Sequence, residues 1–243
     1  MNLGSKLPVL TVITVVYNGA SVIRETISSV IAQNYSRLEY LIIDGKSIDS
    51  TLDVIDEFTA FNFTVISEAD QGIYDAMNKG IRMAKGDYIC FLNAGDQFYT
   101  NDVLNKIGSA IMNEDVIYGN TCIDTAGVKE IKNVYTVDQD WKTMPYCHQS
   151  VFIKRKLLVG NPFDLKFSVA ADFDQYHKIK KSKAQFKSVD FVVSLYDNSG
   201  FSFNNYKKLL KEYKIISSKN SGHIFNWIKI QLYFYLRTKF GIK

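Results

Sequence analysis

Eight consecutive apolar or β-branched residues, Val9 to Val16, give way to Tyr17-Asn18-Gly19, after which apolar positions recur three and four apart from Ser21 to about Gln33. The first run reads as a buried strand, the Asn-Gly pair as a turn and the rest as an amphipathic helix. The alternation repeats. Tyr40 to Ile43 ends at Asp44-Gly45, and Ser47 to Asp49 can cap a helix whose apolar face is Leu52, Ile55 and Phe58. Phe63 to Ser67 predicts a third strand, Gly72 to Ala84 a helix, Asp87 to Leu92 a fourth strand and Asn101 to Met112 another helix. Strands separated by such helices imply right-handed βαβ crossovers, hence an α/β fold with a mainly parallel sheet covered on both faces. The second half is less regular, with strands expected near Val116 to Tyr118, Val151 to Ile153 and Val189 to Leu195, and a helix from about Phe173 to Lys183. No Pro/Gly/Ser-rich linker and no internal repeat divides the chain, so one domain is expected over residues 1–203, followed by a helical tail over 204–243.

Composition supports a folded chain: 243 residues, 47% hydrophobic, 22% charged and only 3 Pro. Three separated cysteines (Cys90, Cys122, Cys147) offer neither a CxxC zinc pair nor a disulfide framework, which favours a reducing compartment. The start, MNLGSKLPVLTVITVVYN, lacks a signal-peptide pattern, and no 18-residue run is free of charge, so a cytoplasmic setting is expected. The net charge of +4 is unevenly placed: residues 204–243 carry nine Lys/Arg against one Glu, leaving the rest acidic. Phe225, Trp227, Ile228, Tyr233, Phe234 and Tyr235 mixed with Lys229, Arg237 and Lys239 have the composition of an interfacial helix meeting anionic lipid. A helix packed on the domain or on a sister subunit, as in a homo-oligomer, explains the same segment equally well. A nucleic-acid partner is not expected, because the tail matches no reading motif and the remainder is acidic. On the interfacial reading, removing 204–243 weakens membrane binding and spares donor hydrolysis.

A polar cluster follows each predicted strand in turn: Tyr17-Asn18, Asp44, Glu68 with Asp70, and Asn93-Ala94-Gly95-Asp96. In a parallel sheet all four line the edge where ligands bind. Carboxylates gathered there repel one another unless a divalent cation joins them, and hard oxygen ligands suit Mg²⁺ or Mn²⁺, which also take phosphate oxygens. Taken singly, each of these residues is also what turns and helix caps use. Competing phosphate and nucleophile motifs are absent: there is no GxGxxG after the first strand, no GxxxxGK[ST] and no GxSxG. The string Asn78-Lys79-Gly80 lacks the Asp and the P-loop partner of a guanine-reading site.

The chain resembles inverting glycosyltransferases of family 2, which have the GT-A fold, and within them bacterial capsular and exopolysaccharide enzymes. The resemblance rests on TVITVVYN at 11–18, IIDGKSID at 42–49, SEADQGIYDAMNKG at 67–80 and KGDYICFLNAGD at 85–96, in order and spacing, with PYCHQ at 145–149 and ADFD at 171–174 further on. It implies a nucleotide-sugar-binding half over about 1–100 and an acceptor half over 101–203. Tyr17, Asn18 and Asp44 would hold the nucleotide, Asp44 accepting a hydrogen bond from a pyrimidine ring, while Asp70 and Lys79 position the donor.

Asn93 to Asp96 stands where the family has Asp-x-Asp, so Asp96 is the expected carrier of Mg²⁺ or Mn²⁺; Asn93 and Gly95 depart from that motif. Asp172 matches the family's general base, with Ala171 where an acidic partner usually stands; capping of the following helix explains Asp172 or Asp174 as well. His148 and Gln149 are expected to contact acceptor or diphosphate. Trp141 can stack on a sugar or fill the core, and His177 and His223 are read as solvated or packing residues. The implied activity is metal-dependent inverting transfer from a nucleotide-sugar, a UDP-sugar above others, to a lipid-linked saccharide at the inner face of the cell membrane. The alternative is a non-catalytic nucleotide-sugar-binding or scaffold relative, suggested by Asn93 and Ala171. A sugar-phosphate nucleotidyltransferase is disfavoured, since its glycine-rich N-terminal phosphate loop is missing.

Overall fold

A computed structural model describes residues 7–137, 144–197 and 205–220. Trp141, His223 and the aromatic segment from Phe225 onward lie outside the described residues.

Strand β1 (Leu10–Val16) lies between β2 (Leu38–Asp44) and β4 (Tyr88–Phe91), parallel to both, and β3 (Thr64–Ser67) extends the sheet beyond β2. The register aligns Val16 with Asp44 and Asp44 with Ser67, while Ile13 pairs with Phe91. Because the strands run parallel and in step, the polar residues that follow them emerge at one edge. Alternate side chains of β1 enter different cores, as the two-residue period of a strand requires. Ile13 and Val15 pack with α3 (Ile73–Met83) through Ala76, Met77 and Ile81. Leu10, Val12 and Val16 pack with α1 (Ile23–Ile31), α2 (Thr51–Asp56) and α4 (Val103–Ala110).

The approach of α3 to β1 explains the Asn78-Lys79-Gly80 string. A side chain at Gly80 would meet Ile13 at 2.7 Å, and buried Asn78 exchanges two 2.9 Å hydrogen bonds with the Phe163 backbone. Its role is packing.

Beyond β4 the sheet turns mixed. Strand β8 (Val151–Lys154) is antiparallel to β4, β6 (Val116–Thr125) antiparallel to β8, β9 (Phe186–Asp197) parallel to β6, and β5 (Gln97–Phe98) closes the far edge against β9. The parallel arrangement predicted from the first half therefore holds over β3-β2-β1-β4, within a nine-stranded sheet. Strand β7 (Val128–Lys132) forms a hairpin with β6 through Ala126 and Gly127, both at positive φ (52° and 87°), as a two-residue hairpin turn requires. A short helix α5 (Arg155–Gly160) and helix α6 (Ala171–Lys181) complete this half.

The last described element, α7 (Tyr206–Asn220), is a helix in the 204–243 stretch and packs on the domain, as one of the two readings of that stretch has it. Tyr213 packs on Phe173 of α6 with ring centroids 4.4 Å apart, and Ile216 is fully buried in the core that contains Ile13. Glu212, the single acidic residue of the basic C-terminal stretch, is 6% exposed. One of its carboxylate oxygens accepts the Ser168 N–H at 3.0 Å, and the other accepts the Val169 and Ala170 N–H groups at 3.0 and 2.9 Å. These donors belong to the N-cap residue Ala170 and the two residues before it, so Glu212 fastens the segment that leads into α6 onto α7. Residues 206–220 thus belong to the folded domain, and deletion from 204 would take with it the carboxylate that holds the start of α6.

Glu212→Ala should lower the unfolding free energy by about 2–3 kcal/mol, the cost of leaving buried donors without their charged acceptor, read by denaturant melts. A loss below about 0.5 kcal/mol would mean that the clamp is dispensable.

Candidate active site

The edge built by β1, β2 and β3 collects the first group of predicted residues. Asn18 follows β1 with φ of 51°; its N–H donates to Ser47 Oγ at 2.8 Å and its side-chain oxygen accepts the Ile48 N–H at 2.9 Å. Asn18 thereby ties the turn after β1 to the loop after β2. Asp44 is fully buried: one oxygen accepts Ser47 Oγ at 2.5 Å, the other the Ser47 N–H at 3.0 Å and Ser67 Oγ at 2.6 Å. Three internal donors thus meet a carboxylate with no exposed surface, and Asp44 anchors the loop after β2 to the end of β3.

Tyr17 is 61% exposed at this edge, and Asp70 is half-buried. They converge on Gly45, where an added side chain would come within 2.5 Å of Asp70 Oδ2 and 3.4 Å of Tyr17 Cβ. Lys79 acts on the loop that carries Asp70. Its ammonium donates to the Ala69 carbonyl at 2.6 Å and pairs with Glu68 at 3.1 Å.

A second group forms where β4 ends. Gly95 has φ of 98°, in the left-handed region that favours glycine, and its N–H donates to Thr26 Oγ1 at 2.9 Å, so the Asn93–Asp96 turn is fastened to α1. Asp96 is 9% exposed, and burial pushes its carboxyl up to about 7 despite hydrogen bonds from Gln149 and from the backbone. Gln149, itself 6% exposed, donates to the Asp96 carboxylate.

Asn93 Nδ2 lies 3.0 Å from His148 Nε2, and Asn93 Oδ1 is buried without a partner. His148 Nδ1 in turn lies 3.7 Å from Asp172 Oδ2. The other oxygen of Asp172 accepts the Phe173 N–H at 2.9 Å and the Tyr74 hydroxyl at 3.3 Å. Burial raises the Asp172 carboxyl above the ordinary carboxylate range, and burial lowers the His148 imidazole, with the Asp172 charge offsetting part of that. Asp172 thus lies at the first turn of α6 beside Tyr74 of α3 and the short 3-10 turn His148–Ser150. Asp174 points elsewhere, pairing with Lys178 at 2.6 Å, and His177 packs edge-on against Phe173.

No group of three His, Cys, Asp or Glu side chains able to hold a metal ion forms among the described residues. Asp96 nevertheless fits a Mg²⁺ or Mn²⁺ that draws its remaining ligands from a bound diphosphate. It is a hard oxygen donor with no cationic side chain paired to it among the described residues, and burial holds back its ionisation.

Residues 11–167 match the family described as glycosyl transferase family 2. The chain belongs to this family. A PGL/p-HBAD biosynthesis glycosyltransferase of Mycobacterium bovis is 30% identical over 175 residues, spanning 69% of this chain and 68% of its own length. Among solved structures, Staphylococcus aureus TarS bound to UDP-GlcNAc superposes with a TM-score of 0.72 at 15% identity, covering 95% of this chain and 74% of that one. Mannosyltransferase PcManGT of Pyrobaculum calidifontis, with GDP-Man and Mn²⁺, gives 0.69 at 17% identity, covering 96% and 70%. At these identities the two structures establish the GT-A fold.

The glycosyltransferase match ends at residue 167, before Asp172 and Glu212. Glu212 was missed from sequence; its signal was the solitary acid in a run of lysines, since an unpaired charge on such a helix face often serves a fixed partner.

Asp96 gives a stability test with a definite sign. With the folded carboxyl raised to about 7, the folded chain keeps a proton that the unfolded chain releases near pH 4. Stability is therefore full below that lower value and falls as pH rises through about 7. Asp96→Asn removes this slope, so between pH 5 and 8 the variant should gain roughly 2–4 kcal/mol relative to the parent in metal-free denaturant melts. A pH-independent difference would mean that the carboxyl titrates normally.

Proposed function

We propose that this family 2 glycosyltransferase transfers a hexosyl group, with inversion, from a nucleotide-sugar to a hydroxyl of a lipid-linked saccharide. UDP-sugars are the proposed donors. The reading is supported above all by the placement of Asp172, a half-buried carboxylate in the first turn of α6 that lies beside His148, which in turn meets Asn93 after β4. Tyr17 offers an exposed ring face on which a base can stack, with Asp70 beside it as an acceptor. Asn18, Asp44 and Lys79 fix the two loops that carry them.

A divalent cation held by Asp96 would, when bound, neutralise charge growing on the departing diphosphate. Asp172 removes the proton from the attacking hydroxyl. Its environment suits the task, because burial raises its basicity while the Tyr74 hydroxyl and the Phe173 N–H hold one oxygen and leave the other toward His148. The acceptor hydroxyl attacks the anomeric carbon from the face opposite the leaving diphosphate, and the proton ends on Asp172. The basic C-terminal stretch suits an acceptor presented at an anionic membrane surface on the cytoplasmic side. No described helix is long and apolar enough to cross a membrane.

Asp172→Asn keeps the shape and removes the base, so kcat should fall about 10²- to 10⁴-fold with nucleotide affinity unchanged, measured by radiolabelled sugar transfer and calorimetry. Full activity in Asp172→Asn would instead favour the scaffold reading that Asn93 and Ala171 suggest.

A further inference from the structure

The contacts between Asn93, His148 and Asp172 carry more than adjacency. We propose that Asn93 and His148 are positioning residues for Asp172, with the Asn93 amide selecting the imidazole tautomer that presents an N–H to the carboxylate. The proposal rests on the reading of Asp172 as the base.

The argument starts from what each atom can do. An amide nitrogen only donates, so Asn93 Nδ2 at 3.0 Å requires a lone pair on His148 Nε2. A neutral imidazole then carries its proton on Nδ1, the nitrogen that lies 3.7 Å from Asp172 Oδ2. The opposite amide orientation would place Oδ1 against Nε2–H and turn a bare Nδ1 lone pair toward a carboxylate, two acceptors facing each other. Hydrogen bonds of this kind are often long before substrate is bound, so 3.7 Å is a distance from which the pair can close. Burial keeps the imidazole neutral, the state in which its tautomer matters.

An aspartate at position 93 would behave differently. It accepts only, so it would demand Nε2–H, and with Asp172 at the other nitrogen it would favour a doubly protonated ring. The amide therefore gives Asp172 a hydrogen-bond donor without adding a positive charge beside the base. His148 takes no proton in the reaction; its Nδ1–H holds the second oxygen of Asp172, as Tyr74 and the Phe173 N–H hold the first. The groups facing Asp172 are Tyr74 from α3, Tyr146 and His148 from the segment before β8, the Phe173 N–H from α6, and Tyr213 from α7. His148 is the one whose protonation state Asn93 sets.

The direct test needs no variant: ¹⁵N NMR of histidine-labelled parent protein at neutral pH, with the His148 signals assigned by their loss in His148→Gln. The Nδ1–H tautomer is expected; an Nε2–H tautomer would overturn the proposal. In Asn93→Asp the same ring should become doubly protonated or switch to Nε2–H. An unchanged tautomer would also overturn it.

Kinetically, His148→Gln and Asn93→Asp should each lower kcat about 10- to 100-fold, the scale seen when a group orienting a functional residue is removed, with donor KM unchanged. In His148→Gln the acidic limb of the pH profile should move to higher pH, because the ionised form of Asp172 loses a donor. Parent-like profiles in both variants, alongside an inactive Asp172→Asn, would remove this proposal and leave the base assignment standing. An active Asp172→Asn would remove both.

Discussion

The parallel pairing of β1 with β2 on one side and β4 on the other is the constraint from which the site follows. It forces the chain after each of these strands to leave the sheet at the same edge, which brings Tyr17, Gly45, Asp70 and the Asn93–Asp96 turn together although they are far apart in sequence. The strand can hold this position because its alternate side chains are buried in different cores, so a one-residue slip would turn each set toward the wrong core. The polar groups at the edge then fasten the loops to one another: Asn18 to the Ser47–Ile48 backbone, Asp44 to Ser47 and Ser67, Lys79 to Glu68 and Ala69. These polar residues hold the loops of the edge in place.

The other side of the site depends on a different kind of interaction. Helix α6 begins at Ala170, which has no capping side chain, and the N–H groups just before it are taken by Glu212 from α7. Asp172 follows two residues later, with the Tyr74 hydroxyl and the Phe173 N–H on one oxygen. The start of α6 is thus held by α3 and by the C-terminal helix. His148 closes the arrangement by reaching Asn93 at the end of β4. His148 therefore lies between the end of β4 and the first turn of α6, 3.0 Å from Asn93 and 3.7 Å from Asp172.

The first hundred residues were legible because their periodicities are clean and each apolar run stops at an Asn, Asp or Gly. The GT-A fold and the family, read from the motifs at 11–18, 42–49, 67–80 and 85–96, are confirmed by the match over residues 11–167. What the sequence concealed is physical in origin. Strand β7 was invisible because all five of its residues are exposed and its turn uses Ala126-Gly127 rather than an Asn-Gly pair. The internal partners of Asp44 were hidden because one of them, Ser67, is a donor 23 residues away on another strand. Glu212 lies in a segment whose lysines dominate its character, and only the packing of α7 on α6 reveals that its charge is turned inward.

The central claim is that the β1-β2-β4 edge, with Asp96, holds a nucleoside diphosphate together with a divalent cation. Calorimetric titration of UDP, GDP, CDP and dTDP into the full chain, each with Mn²⁺ and with EDTA, tests it most directly. The account predicts that UDP binds with Mn²⁺ and that chelation weakens its binding by at least about ten-fold, roughly 1.4 kcal/mol. Absence of binding by all four nucleotides in Mn²⁺ would contradict it.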